Sequence, residues 1–380
     1  MIKNRIAVNI LFGMNGFLYA NYTARLPQIQ SLYGLDNGDL GISLLIMAIG
    51  ALIAMPFTGW LIVKNSSRRI ATFAGLAFCS MVPLIGMMPN IVLFDMLFFS
   101  MGLGTGMMDV GMNAQAIAVE KSYRRPIMSS FHAIFSAGMM FGAGSGALFM
   151  YLGFNLLPHL VVVSSLALIS LLWAVSNLID DGNGSTATTT KHTPFSLPKA
   201  SLVGVGLIAF CCMLGEGAMA NWSTNYMLHI ANANASFAPL GLVAFSSAMM
   251  LARFFGDHVR HQVGDRKLLI GNSILAGVGL GLLLIVPHPV VVLIGFFLVG
   301  LGLSVIVPIA YSTAGNTPDL PPSVGIGMVT TIGYSGLLLG PPIIGFLAEW
   351  QNMQVALSFT LLLFVLMIGL SFRFQSVRSA

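Results

Sequence analysis

The sequence predicts an all-α membrane protein of twelve transmembrane helices arranged as two pseudo-symmetric six-helix bundles. Three observations predict it: a composition that suits lipid, a run of twelve apolar segments, and an internal repeat across a polar linker. The 380 residues are 56% hydrophobic and 8% charged, with a mean hydropathy of +0.88. A soluble domain carries about 25% charged residues, so this chain lacks the polar surface to face water on all sides. Crossing a hydrocarbon core of about 30 Å takes about 20 helical residues. Backbone groups in lipid must be paired within their own segment, which selects helices. Twelve such segments are marked at roughly 6–26, 39–63, 70–88, 91–119, 128–152, 156–179, 202–227, 238–255, 268–286, 290–313, 324–348 and 354–372. Lys3 and Arg5 precede the first, which holds Asn15, Asn21 and Arg25 and reads as a membrane span rather than a cleavable signal.

The charges order these spans. With the N-terminus inside, one side collects Lys3, Arg5, Lys64, Arg68, Arg69, Lys121, Arg124, Arg125, Lys191, Lys199, Arg260, Arg266, Lys267, Arg373 and Arg378, with Arg253 at the inner end of the eighth span. Arg25 alone stands toward the other side. An excess of Lys and Arg marks the cytoplasmic face. The expected placement is therefore a bacterial inner membrane, multi-pass, with both termini cytoplasmic. The net charge of +5 is explained by topology, and nucleic acid is not an expected partner.

The linker is Asp180 to Lys199, rich in Thr and Gly. It predicts a first bundle over 1–179, a cytoplasmic linker over 180–200 and a second bundle over 201–380. The halves repeat at nearly constant offset. Ala20-Asn21-Tyr22 matches Ala220-Asn221-Trp222 and Leu40-Gly41 matches Leu240-Gly241. Gly102-Leu103-Gly104 matches Gly300-Leu301-Gly302, and Arg68-Arg69 matches Arg266-Lys267. Two like halves around a central site suit alternating access, in which one half rocks on the other.

Other chemistry finds little support. Cys79, Cys211 and Cys212 lie in apolar runs without disulfide or metal-ligand spacing. His258 and His261 sit in an expected charged loop and make a poor metal site. The glycine-rich stretch 138–146 lacks the Gly-Lys-Ser/Thr ending of a phosphate loop and suits close helix packing. No metal or cofactor is expected, and no constellation of nucleophile and base suggests an enzyme. Energy must then come from an ion gradient or from the solute's own gradient.

An ionisable side chain in lipid costs on the order of 2.5–3.5 kcal/mol unless paired or hydrated, so buried charges are the first site candidates. Asp109 lies deep in the fourth span, and Gly102, Gly106, Asp109 and Asn113 share a helical face that suits a water-filled cavity. Glu216, between two glycines of the seventh span, is the second acid. Both are candidates for carrying a coupling proton; the residues alone leave sodium open. Arg25 could bind an anionic group, pair with Asp109 or Glu216, or reach the outer surface where Pro27 ends the helix. Asn21, Tyr22, Asn221, Trp222 and Asn225 form a repeated polar-aromatic patch, and amides and aromatic faces suit hydroxylated ligands. Packing between helices is the competing use of the same patch. Asn113, His132, Tyr311 and Tyr334 complete the candidate substrate-binding set.

Several of these segments look like a known family. The twelve-span plan, Gly59-Trp60-Leu61 before Arg68-Arg69, and Gly256-Asp257 before Gly264-Asp265-Arg266-Lys267 resemble the major facilitator superfamily. Val63 stands where the first copy of that signature usually has Asp. Ala20–Pro27, Asp109–Glu120, His132–Gly138, Gly215–Trp222 and Thr331–Gly345 resemble a narrower YbjJ/MosC-like branch related to fucose–proton symporters. That resemblance implies a coupling acid on the fourth span, with Asp109 in its place, and a sugar-contacting position at His132. The symporters' acid on the first span has no counterpart here. MosC-like members are associated with inositol-derived amines, which brings in polyols and amino-polyols. The expected function is proton-coupled uptake of a small polar hydroxylated solute, by a monomer. A proton antiporter exporting drugs or metabolites is the alternative, and a non-transporting membrane sensor is the alternative of another class.

Overall fold

A chain surrounded by lipid must satisfy its backbone within helices, and the computed structural model is helical throughout its regular structure. It describes residues 1–123, 127–181, 200–317 and 320–374. The elements in order are α1 (Ile2–Thr23), α2 (Leu26–Tyr33), α3 (Asn37–Lys64), α4 (Ser67–Met81) with a 3₁₀ extension Val82–Gly86, α5 (Ile91–Tyr123), α6 (Met128–Tyr151) and α7 (Leu156–Val175). The second half follows with α8 (Ala200–His229), α9 (Leu240–Val263), α10 (Asp265–Ile285), α11 (Pro289–Leu303), α12 (Ile306–Gly315), α13 (Pro322–Trp350) and α14 (Met353–Arg373). Ten spans among the described residues are long and apolar enough to cross a membrane. The other two crossings are the asparagine-bearing α1 and α9, whose apolar part is Leu240–Gly256. Large apolar side chains such as Phe57, Phe73, Ile169, Phe254 and Leu362 lie on the outer surface, where the bilayer is their solvent.

Three expectations about boundaries change. Pro27 does not simply end the first span. The helix stops at Thr23, Arg25 forms the junction, and Pro27 opens α2, where its missing N–H leaves no acceptor wanting. The tenth span is broken at Ser304-Val305 into α11 and α12. The loop expected between the eighth and ninth spans is helical up to Val263, so His258 and His261 belong to α9. Gly264, at φ 81°, alone turns the chain into α10, a backbone conformation glycine adopts without strain. Arg260 and Asp265 clamp this turn with two hydrogen bonds of 2.7 and 2.8 Å, each charge complementing the dipole of its own helix end. No group of three potential metal ligands occurs among the described residues.

The two halves pack alike. α1 lies on α6 and α3 on α5; in the second half α8 lies on α13 and α9 on α11. Close helix crossings recur at the repeat offset. A Cβ on Gly102 would meet Met47 O at 2.0 Å, and one on Gly300 would meet Phe245 O at 2.3 Å. Without a hydrophobic force between helices in lipid, such backbone approach supplies the packing contact. It also corrects the reading of the Gly102–Asn113 face. Its glycines serve to seat α3, and of the four residues only Gly106 and Asp109 border open space. Between halves, α6 meets α9 and α3 meets α13. Lys191, Lys199, most of the linker, Arg124, Arg125 and Arg378 lie outside the described residues.

Candidate functional site: a charged cavity between the halves

Two adjoining cavities of about 270 and about 350 Å³ lie between the bundles. They share Glu216, Arg253 and Tyr334 in their walls. The second reaches Met128 at the start of α6 and Arg260 near the end of α9, so the space runs toward the side that carries the basic loops.

Asp109 lines the first cavity from α5. Its carboxylate accepts a 3.2 Å hydrogen bond from Asn113 Nδ2, which also donates to the Asp109 carbonyl at 2.8 Å. Asn113 therefore orients the acid and is itself outside the lining. Among the described residues Asp109 enters no ion pair; the pairs are Arg253–Glu216 and Arg260–Asp265. Glu216 faces Arg253 at 3.5 Å and receives a 3.7 Å contact from the Cys212 thiol. Arg253 also donates to Ser136 Oγ at 2.9 Å, joining α9 to α6 across the halves. His132 and Tyr311 line the second cavity. The rest of the first wall is largely apolar and includes Met47, Met55, Met139 and Met249.

Arg253 is the residue that sequence reasoning missed. Sidedness alone accounts for it as a cation at a helix end, yet it sits within an apolar run before Phe254-Phe255. A charge there is by default a functional candidate.

The polar-aromatic patch lies elsewhere. Arg25 is fully buried and pairs with neither acid. Its Nε donates to His159 Nδ1 at 3.1 Å, its Nη2 donates to Phe154 O at 3.1 Å, and its Nη1 donates to Gln28 Oε1. Because a guanidinium only donates, His159 Nδ1 accepts. The ring proton then sits on Nε2, bonded to Asn21 Oδ1 at 2.8 Å. Asn21 also accepts from Ser145 and donates to Phe17 O, and Tyr22 is buried with its hydroxyl on Met47 Sδ at 3.3 Å. These three residues are absorbed by packing within the first bundle and do not reach the cavity. Truncating Arg25→Ala strands His159 and Phe154 in the interior and should cost on the order of 3 kcal/mol. The expected result is a clear fall in the melting temperature of the purified protein, with Arg25→Lys intermediate.

Asn221, Trp222 and Asn225 close the end opposite the basic loops. Tyr19 donates to Asn221 Oδ1 at 3.1 Å, and Asn225 donates to Gln30 Oε1 at 2.9 Å; both bonds join the halves. Asn37 N, at the start of α3, donates to Glu349 on α13 at 3.1 Å. A Cβ on Gly345 would meet Asn37 O at 2.4 Å, and Trp222 packs against the same glycine. The patch expected to bind solute is buried in this seal. Tyr334, Tyr311 and His132, with the two acids, are the expected residues that do border the cavity.

Comparison with known proteins agrees with this architecture. A model of the Major Facilitator Superfamily matches residues 8–319. An uncharacterised MFS-type transporter of Yersinia pestis is 33% identical over 93% of this chain and 91% of its own. The membrane protein MosC of Rhizobium meliloti is 32% identical over 98% of this chain and 90% of its own. Among solved structures, the nucleoside transporter NupG superposes with a TM-score of 0.75 at 13% identity, covering 98% of each chain. A bacterial homologue of the human lysosomal transporter Spinster, inward-facing and unoccupied, gives 0.74 at 12%, covering 98% of this chain and 96% of that one. These two share the fold. On the family match and the two sequence relatives, the chain belongs to the Major Facilitator Superfamily and is a multi-pass membrane transporter, not an enzyme.

Proposed function

We propose that this transporter takes up a small polar, hydroxylated solute (a sugar, polyol or amino-polyol) together with protons, by alternating access. It acts as a monomer in a bacterial inner membrane, with both termini and the 180–200 linker on the cytoplasmic side. The observation that carries the reading is Asp109: an acid on a cavity wall, oriented by Asn113 and in no ion pair among the described residues. An unpaired carboxylate within a membrane span is costly to keep ionised because water is scarce around it. It therefore has reason to exchange a proton with whichever side the cavity faces. The sealed end at Asn221, Asn225 and Gly345 and the space toward the basic loops give the two-sidedness that alternating access requires.

The methionine-rich wall favours a second reading. Soft, adaptable side chains suit apolar cargo, and a proton antiporter would export it. Reconstituted vesicles separate the two. With the outside acidic, a symporter accumulates labelled sugars or polyols, and a protonophore abolishes the accumulation. In the same gradient and the same right-side-out orientation, an antiporter drives preloaded drug out of the vesicle as protons enter. Accumulation that survives the protonophore and follows sodium would overturn proton coupling.

A further inference from the structure

Arg253 is the cation shared by both cavities, and its carboxylate contact is poorly made. A strong Arg–carboxylate pair is short and two-pronged, at about 2.7–2.9 Å. Arg260–Asp265 meets that description. Arg253–Glu216 is a single contact of 3.5 Å, and among the described residues the guanidinium's other hydrogen bond runs to Ser136 Oγ. A guanidinium has five N–H donors, so this one keeps donor capacity at the cavity wall.

The geometry points to Arg253 as the binding site for a carboxylate on the solute, with Glu216 holding that place until the solute arrives. This rests on the uptake reading above and moves its hydroxylated solute from the neutral and amino polyols to the hydroxy acids.

Charge balance then ties the solute to a proton. Added to an ionised Glu216, a solute carboxylate would set two anions on one cation, with Asp109 on the facing wall. Protonating Glu216 without the solute would strip Arg253 of its counter-charge in a low dielectric, which is strongly unfavourable. The other charged or titratable groups on these walls are Arg260, His132, Tyr311 and Tyr334, with Cys212 behind Glu216. Arg260 is held by the Asp265 carboxylate through two short hydrogen bonds, and the rest supply no fixed charge. Proton and carboxylate therefore bind together, leaving the net charge of the cavity unchanged, and each raises the affinity for the other by the same factor.

The test uses three probes that share a hydroxylated six-carbon chain: sorbitol, gluconate and glucamine, which are neutral, anionic and cationic. Binding to the purified transporter is read by thermal shift across pH. Gluconate alone should stabilise the wild type, and its apparent affinity should weaken about tenfold per pH unit once the pH exceeds that at which Glu216 protonates. Arg253→Gln should lose the gluconate shift at every pH, and Arg253→Lys should keep part of it. Glu216→Gln should bind gluconate with a flat pH profile, and it decides the matter alone if Arg253→Gln does not fold. Equal stabilisation by sorbitol or glucamine, an undiminished shift in Arg253→Gln, or no shift from any probe would overturn the proposal. Sorbitol or glucamine binding would leave the broader uptake reading intact. A pH-dependent gluconate shift in a protein whose vesicles take up no gluconate under any gradient would sink that reading and spare this one.

Discussion

Asp109→Asn transporters should bind their solute and exchange it across the membrane, yet fail to accumulate it. Asparagine keeps the size of the acid and its hydrogen bond to Asn113, but it mimics permanent protonation. A symporter must release its proton before the empty form returns, since only a difference in affinity between the two states can drive the cycle. The inside-to-outside ratio at steady state should fall to ~1, and the pH dependence that remains should be that of solute binding at Glu216 alone. Counterflow, in which labelled and unlabelled solute trade places, needs no net proton release and should persist. Asp109→Ala should be worse, because it also leaves Asn113 without its partner. Measured in proteoliposomes, wild-type accumulation by Asp109→Asn with an unchanged pH profile would make Asp109 structural and pass the coupling role to Glu216.

Gly345→Ala should open the far side. The substitution adds one carbon and raises helix propensity, so any loss must arise from contact. That carbon would lie 2.4 Å from Asn37 O, and the backbone of α3 has no room to yield without parting from α13. Overpacking of this kind costs about 1–3 kcal/mol, which corresponds to a roughly 5- to 150-fold change in the ratio of the two states. A cysteine placed at Asn225 reports the outcome through an impermeant maleimide. Cys79, Cys211 and Cys212 are buried, so background labelling should be low. Labelling should rise sharply while transport falls. Unchanged labelling would mean that Gly345 is not part of the seal.

The spans were legible because lipid leaves one choice: backbone polar groups must close on themselves, and only long apolar runs can do so. Their joints were less legible. Pro27 reads as a terminator in one dimension but opens α2, and the charged residues 256–263 read as loop but extend α9. The acids were found for an energetic reason, since a carboxylate in a span needs an explanation whatever its neighbours are. Asn21, Tyr22 and Arg25 misled because an amide, a phenol or a guanidinium is equally at home in a ligand site and in a contact between helices. Periodicity reports which residues share a face and is silent on what that face meets. His159, the partner that claims both Arg25 and Asn21, lies 134 residues from Arg25, beyond the reach of any local pattern. Arg253 was hidden by its usefulness as a marker of sidedness, which supplied a sufficient reason for its presence.

The seal opposite the basic loops has a consequence for how the two conformations are weighted. Tyr19–Asn221 and Asn225–Gln30 pair neutral groups, and Glu349 meets a backbone N–H; among the described residues no ion pair bridges the halves there. Water can replace each neutral bond at a net loss of about 0.5–1.5 kcal/mol, and the one to the carboxylate at about 1.5–3 kcal/mol. Buried ion pairs across the same gap would have made separation far more expensive, because each parted charge would need its own compensation. A closure built from amides and a phenol keeps the sealed and unsealed forms close in free energy. A small molecule that favours one of them by a few kcal/mol can then reverse their populations, and the side to which the cavity faces is decided by its cargo rather than by the resting strength of the gate.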